Sequence, residues 1–247
     1  MQASVEVYNL RKTYGNQVVF DSLNLSIEKG RITVLFGPNG SGKSTLLSIL
    51  AGLIPYNSGT YVFENKAALS YIFQNYKDSL FPWRTNFENV AYPLEVKGWK
   101  KKDIKEKIDS LVKALGLHFE WNRYPYELSG GQQQLLAFMR AIITDPEVLF
   151  IDEPFGALDY ENNLLLRDQL QKYYLKFRPT IVLITHNIEE AVHLAQKIII
   201  LSKKPTQIVG MIENSLPYPR EINFLKTETF NQVKDKVLTA FQKAVHI

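Results

Sequence analysis

The run Gly37-Pro38-Asn39-Gly40-Ser41-Gly42-Lys43-Ser44-Thr45 places a lysine and two hydroxyls directly behind a glycine-rich loop. That spacing is the G-x-x-x-x-G-K-[ST] pattern, in which backbone N–H groups cradle phosphate. Lys43 is expected to reach the β- and γ-phosphates of a nucleotide. The Ser44 hydroxyl is expected on Mg²⁺. Gly37, Gly40 and Gly42 let the backbone curl around phosphate where a Cβ would intrude. A second chemical run is Val148-Leu149-Phe150-Ile151-Asp152-Glu153-Pro154, with two acids ending an apolar stretch. Asp152 is expected to hold Mg²⁺ through water, and Glu153 to orient or deprotonate the attacking water. The other reading is a pair of acids that merely ends a strand. A third run, Leu128-Ser129-Gly130-Gly131-Gln132, reads as a helix start. Ser129 is the N-cap and Gln132 completes a capping box, with two glycines beside the cap. Most capping boxes only stabilise helices, yet this one gives the chain a second phosphate-type helix N-terminus. One chain is poorly placed to aim both at one nucleotide, whereas a head-to-tail dimer could.

The elements that must carry these groups are legible in the periodicity. Arg31 to Phe36 reads as a buried strand feeding the loop. Residues 43–53 read as a helix with Leu46, Leu47 and Leu50 on one face and Gly52 near its end. Strand-like alternation covers 3–10 and 18–27, and short strands are expected at 61–63 and 69–73. Residues 76–145 turn helical. Val148 to Ile151 and Ile181 to Ile184 are continuous apolar runs, as in strands buried on both faces. Helix is expected over 164–177, then strands at 198–201 and 208–212 around a turn at Lys203-Lys204-Pro205. The tail from Pro219 has Phe230, Val233, Val237 and Phe241 at helical spacing. Buried strands alternating with helices predict an α/β core with a largely parallel sheet. Ligands of such sheets sit at the carboxyl ends of the strands, where Asp152 and Glu153 fall.

Composition narrows the options. The 247 residues are 45% hydrophobic, enough for one large domain or one with an inserted subdomain. No apolar run approaches membrane-spanning length. The segment Met1 to Glu6 lacks the charged start and apolar core of a signal peptide. No cysteine is present, which excludes disulfides, thiolate zinc sites and cysteine catalysis. A net charge of +4 without a concentrated basic stripe argues against a nucleic-acid partner. The densest lysine cluster, Lys97, Lys100, Lys101, Lys102, Lys105 and Lys107, reads as the solvated face of a helix. Ile104, Ile108, Leu111, Val112 and Leu115 form that helix's apolar stripe. A face toward anionic lipid headgroups is the other reading. His186 with Glu189 and Glu190 fits no strong zinc spacing. His118, His193 and His246 match no motif.

The order GPNGSGKST, Gln74, LSGGQ, VLFIDEP, Gly156-Ala157-Leu158-Asp159 and Leu183-Ile184-Thr185-His186 resembles the ATP-binding-cassette (ABC) ATPase family over residues 4 to about 215. The resemblance implies a phosphate-loop core with an antiparallel β-subdomain and an inserted α-helical subdomain. Residues 1–75 and 146–215 would form the nucleotide core with its β-subdomain. Residues 76–145 would form the helical subdomain, and 216–247 a C-terminal helical extension. It also implies two cassettes sharing each ATP between one phosphate loop and the other's signature. Tyr14 would then stack on adenine, the other reading being a core tyrosine. Residues Gly37 to Thr45 would bind phosphate. Gln74 would touch Mg²⁺ and the water. Ser129, Gly130, Gly131 and Gln132 would serve the partner's nucleotide. Asp159 would cross the dimer interface. His186 would contact the γ-phosphate and hold Glu153 in register. One departure is that Gln132-Gln133-Gln134-Leu135-Leu136 stands where close relatives of this type carry one or two arginines before Arg140.

The stretch Leu80 to Val90, with Phe81-Pro82-Trp83, resembles importers of the nitrate, sulfonate and taurine type. There, the surface near Gln74 and Phe81-Pro82-Trp83 would meet integral-membrane permease subunits. Local packing of the aromatics is the other reading. The tail Pro217-Tyr218-Pro219-Arg220 has the same likeness. The expectation is a peripheral ATPase at the cytoplasmic face of the membrane, working indirectly with an extracytoplasmic solute-binding protein. A soluble, non-transport ABC ATPase is the alternative. A phosphate-loop kinase would not need LSGGQ.

Overall fold

The glycine loop leaves strand β3 (Ile32–Phe36) and enters helix α1 (Lys43–Leu50), as the pattern predicted. This is seen in a computed structural model that describes residues 3–64, 68–156 and 158–246. Helix α1 stops three residues short of the expected Leu53. Gly52 turns left-handed at φ +72°, and its N–H bonds the Ile49 carbonyl at 2.9 Å, which closes the last turn.

Strands β1 (Ala3–Tyr14), β2 (Gln17–Glu28) and β4 (Ser58–Phe63) form an antiparallel sheet in the order β2-β1-β4. Both long strands outrun the segments expected from alternation. Asn9 and Ser22 sit at positive φ where the pairing register shifts, so side chains switch faces and the period of two is lost. Asn24 holds the irregularity: its amide oxygen accepts from Asn9 N–H at 3.0 Å and its amide N–H donates to the Ser22 carbonyl at 3.0 Å.

The second sheet has six strands. They are β5 (Leu69–Ile72), β6 (Val148–Asp152), β7 (Thr180–Ile184), β3, β8 (Lys197–Leu201) and β9 (Ile208–Glu213), in that spatial order. The first five run parallel and β9 returns antiparallel. Strands β3, β6 and β7 are buried along their full length. Their apolar runs still alternate between two cores. Val34, Phe36, Leu149, Ile151 and Leu183 face the helical side. Leu35, Phe150, Val182 and Ile199 pack with Leu46, Leu47 and Leu50 of α1 and with the three-stranded sheet. Burial on both faces is why these strands read as unbroken hydrophobic stretches.

The helical side carries α2 (Asn86–Val96), α3 (Lys101–Leu115), α4 (Gly130–Ile142), α5 (Tyr160–Phe177), α6 (Ile188–Leu194) and α7 (Glu228–His246). Helix α2 starts at a Thr85–Glu88 capping box. Helix α3 buries Ile104, Ile108, Leu111 and Leu115. Lys97, Lys100, Lys101, Lys102 and Lys105 are exposed, and Lys107 pairs with Asp145. The tail returns to the core: Phe230 and Val237 are buried, and Phe241 meets Phe36 edge-on at 5.1 Å. Arg220, also buried, donates to the carbonyls of Val192 at 2.7 Å and Ala195 at 2.8 Å, closing the C-terminal end of α6. Among the described residues no helix is long and apolar enough to cross a membrane.

Candidate functional site

Four neighbouring strands, β5, β6, β7 and β3, deliver one polar segment each from their carboxyl ends. These are Gln74 after β5, Glu153 after β6, His186 after β7 and the glycine loop after β3. The convergence follows from parallel pairing, which puts every strand end on one edge.

In the loop, Gly42 has φ +89°, and a Cβ there would lie 2.6 Å from Val19 Cγ1. A Cβ on Gly37 would lie 2.7 Å from the Leu201 carbonyl oxygen. The loop is therefore pressed onto β2 and β8, with no room for side chains at these points. Helix α1 has no side-chain N-cap, which leaves its first N–H groups available to an anion. Lys43 is buried and folds over the loop, its ammonium donating to the Gly37 carbonyl at 2.9 Å and the Pro38 carbonyl at 3.0 Å. Burial lowers its pKa, while Glu153 and Asp152 oppose that shift.

Ser44 Oγ donates to Asp152 Oδ1 at 3.1 Å, and the Tyr71 hydroxyl to Asp152 Oδ2 at 3.3 Å. Burial pushes the Asp152 carboxyl up from its ordinary value, with Ser44 pulling the other way and Glu153 adding to the rise. A cation here would relieve that cost. The hydroxyl and carboxylate oxygens are hard donors that suit Mg²⁺. Glu153 takes the left-handed conformation, φ +44°, at the strand end. Such a backbone is strained for a residue with a Cβ, by about 1–2 kcal/mol. Its Oε2 lies 3.1 Å from His186 Nδ1 and 3.4 Å from Gln74 Nε2. Asn39, Gly40, Gly42, Lys43, Ser44, Thr45, Gln74 and Glu153 thus line one open cleft of about 330 Å³. Lys204 lines it too. In the sequence Lys204 marks only a turn between strands, because nothing local identifies so distant a lysine as a neighbour of the loop.

The other expected residues lie apart from this cleft. Tyr14 is 49% exposed at the β1–β2 hairpin, with the Lys12 ammonium 4.5 Å from its ring centre, so the core-tyrosine alternative fails. Ser129 caps α4: its Oγ accepts from Gln132 N–H at 3.3 Å, and its own N–H donates to Gln132 Oε1 at 2.9 Å. Ser129, Gly130 and Gln132 are exposed, while Gly131 is buried against the Asn162 side chain. Asp159 caps α5, accepting from Asn162 N–H at 2.9 Å and Asn162 Nδ2 at 2.8 Å. These bonds hold its carboxyl below the usual range. Ala157 of the same motif lies outside the described residues. The glutamines that replace the expected arginines have internal duties. Gln133 Nε2 donates to the Pro125 carbonyl at 2.9 Å, and Gln134 is buried.

The histidines outside the motifs divide. His118 is exposed, and the side chain of His246 lies outside the described residues. His193 is buried, its Nε2 lies 2.5 Å from the Arg220 carbonyl, and burial lowers its pKa to about 4. Glu189 and Glu190 pair with Arg167 at 3.2 and 3.6 Å. Phe81 and Trp83 also separate. Phe81 packs edge-on against Tyr92 at 4.8 Å beneath the Arg140 guanidinium at 4.1 Å, whereas Trp83 stacks on Phe81 at 5.4 Å and stays 72% exposed.

Comparison with known proteins gives the same answer from several directions. A family profile described as ABC transporter matches residues 20–156. The aliphatic sulfonates import ATP-binding protein of Bacillus cereus is 38% identical over 94% of this chain and 91% of its own length. The sulfate/thiosulfate import ATP-binding protein of Shewanella oneidensis is 42% identical over 87% of this chain and 64% of its own. Among solved structures, a dimeric ATP-binding cassette in a post-hydrolysis state with ADP and Pi superposes with TM-score 0.74. It has 28% identity, over 86% of this chain and all of that one.

Proposed function

This chain belongs to the ABC transporter family of ATP-binding cassettes, and from that premise we propose that it is the ATP-hydrolysing subunit of an importer. It would energise uptake of a small solute of the nitrate, sulfonate or taurine type, or a related one, through a separate membrane permease. The import names of the relatives favour transport over a soluble assembly factor.

The observation that carries the chemistry is the contact of Gln74 and His186 with one carboxylate oxygen of Glu153, beside Lys43 and Ser44. In this reading the loop N–H groups and Lys43 hold the ATP phosphates. Glu153 takes the proton of the attacking water, worth about 10²–10⁴-fold in rate. His186 and Gln74 fix the carboxylate's direction. Ser44, Asp152 and Gln74 are the residues that would hold Mg²⁺, which supplies charge neutralisation at the β- and γ-phosphates when bound. The capped start of α4 and Asp159 lie outside the cleft, which supports an arrangement of two copies in which Ser129 to Gln132 of one serve the ATP of the other. Residues 1–75 and 146–215 would be the nucleotide core, 76–145 the arm carrying the signature, and 216–247 the extension. The exposed Trp83, with Gln74, would face the permease, which keeps the chain peripheral at the cytoplasmic side and links it indirectly to an external solute-binding protein.

Two experiments test this. Glu153→Gln should retain ATP binding, accumulate as an ATP-dependent dimer and lose nearly all turnover. Unimpaired hydrolysis in that variant would remove Glu153 from the role. Affinity purification from detergent-solubilised membranes should bring down a multi-span membrane protein, and recovery of soluble partners alone would reject transport.

A further inference from the structure

We infer that Lys204 is a second cation for the bound nucleotide, contacting its polyphosphate on the adenosine side. The inference rests on the phosphate-loop reading of the preceding subsection and adds a residue from a remote part of the chain.

The position of Lys204 is fixed by the turn that carries it. Thr206, buried, donates its hydroxyl to the Ser41 carbonyl at 2.5 Å, and its N–H to the Val19 carbonyl at 2.8 Å. Ser202 closes the same turn, its N–H donating to the Gln207 carbonyl at 2.9 Å and its Oγ accepting from Gln207 N–H at 2.9 Å. The turn between β8 and β9 is thus pinned to the backbone of the phosphate loop itself. From it the half-buried Lys204 side chain enters the wall of the cleft formed by Asn39, Gly40, Lys43 and Thr45.

Its charge has little to do there without an anion. Among the described residues the carboxylate that lines the same cleft, Glu153, meets His186 and not Lys204, whose hydrogen bond to the neutral Gln17 Oε1 is long, 3.4 Å. Two lysines, Lys43 and Lys204, therefore share one open cleft, which favours a polyanion over solvent. Gln17 also fixes which end of the ligand is concerned. It pairs in register with Tyr14 across the β1–β2 hairpin, so its bond to the ammonium holds Lys204 on the hairpin side of the cleft, where the exposed aromatic lies. A contact on that side is made equally to the nucleotide before and after the terminal phosphate is lost. It strengthens binding without favouring the transition state.

The test is calorimetric titration of the full chain with Mg-ADP and with a non-hydrolysable ATP analogue. Lys204→Met keeps the stem and removes the charge, Lys204→Arg keeps the charge, and Lys43→Ala is the reference. Lys204→Met should weaken both ligands by the same factor, about five- to tenfold for one partly exposed charge-assisted contact. Lys204→Arg should restore affinity. The Lys204→Met deficit should shrink as potassium chloride is raised. In steady-state hydrolysis KM for ATP should rise with kcat unchanged. Unchanged affinity in Lys204→Met alongside a large loss in Lys43→Ala would overturn the inference and leave the phosphate-loop reading standing. A loss that Lys204→Arg does not repair would also overturn it, assigning the effect to the turn. Wild-type affinity in Lys43→Ala would instead overturn the reading on which the inference rests.

Discussion

Replacing Arg167 by methionine should cost about 2–3 kcal/mol and disturb catalysis from below the site. Arg167 is 2% exposed on α5, and its guanidinium meets Glu189 at 3.2 Å and Glu190 at 3.6 Å. Glu190 is itself buried and accepts from the Thr185 hydroxyl and from Asn163 Nδ2 at 3.1 Å. Thr185 Oγ1 in turn accepts from Asn187 N–H at 3.0 Å, so the network brackets His186 on both sides. Removing one partner of a buried ion pair typically costs about 3–5 kcal/mol, because the other charge is left uncompensated. Three features lower that here. Glu190 keeps two neutral donors, the 3.6 Å separation is long, and Arg167 Nε is already buried without a partner. For a chain of this size the loss corresponds to a fall in Tm of about 5–10 °C. Denaturant melts of the single variant, of Glu190→Gln and of the double variant complete the cycle. The double variant should recover about 1–2 kcal/mol relative to the sum. Turnover of Arg167→Met should fall with ATP affinity unchanged. A loss under about 1 kcal/mol, or strict additivity, would refute the picture of one coupled network.

Stability should fall as pH drops from about 6.5 to about 4, since His193 is buried neutral while the unfolded chain protonates across that window. The contribution is about 3 kcal/mol, and His193→Gln should flatten that part of a pH-dependent denaturant series. Gly131→Ala should destabilise by about 1 kcal/mol in the same assay. A methyl there meets Asn162 and disturbs its bonds to Asp159, which outweighs the usual gain of alanine over glycine in a helix. Trp83→Ala should change stability by less than about 0.5 kcal/mol, being largely exposed, and leave hydrolysis by the isolated chain intact. Its readout is loss of the membrane protein from the purification described above.

Much of the sheet and of the cleft was legible in the residues because their signals are local. A strand, a glycine loop and a helix start are contiguous at 32–50, and the acids of β6 directly follow an apolar run. The capping box at Ser129 needs only four residues to declare itself. What escaped was set by distant contacts. Arg167 and Arg220 carry charges that composition assigns to the surface, yet both are buried because partners from other elements satisfy them. Lys204 reaches the cleft only because β8 pairs with β3. The left-handed backbone of Glu153 has no sequence signature, since glycine and asparagine are the residues that normally advertise it.

The Arg140 guanidinium above Phe81 ties the exposed tryptophan to a mechanical element. It also donates to the Ser79 carbonyl, so the aromatic patch is bolted to the last turn of α4. From Arg140 back to the Ser129 cap runs about 16 Å of hydrogen-bonded helix. No glycine or proline interrupts it between Gln132 and Ile142. Between those residues the segment bends little, and the pair Gly130-Gly131 beside the cap is its softest part. The patch and the Ser129 cap thus lie at opposite ends of one continuous helix, joined by a glycine-free rod from Gln132 to Arg140.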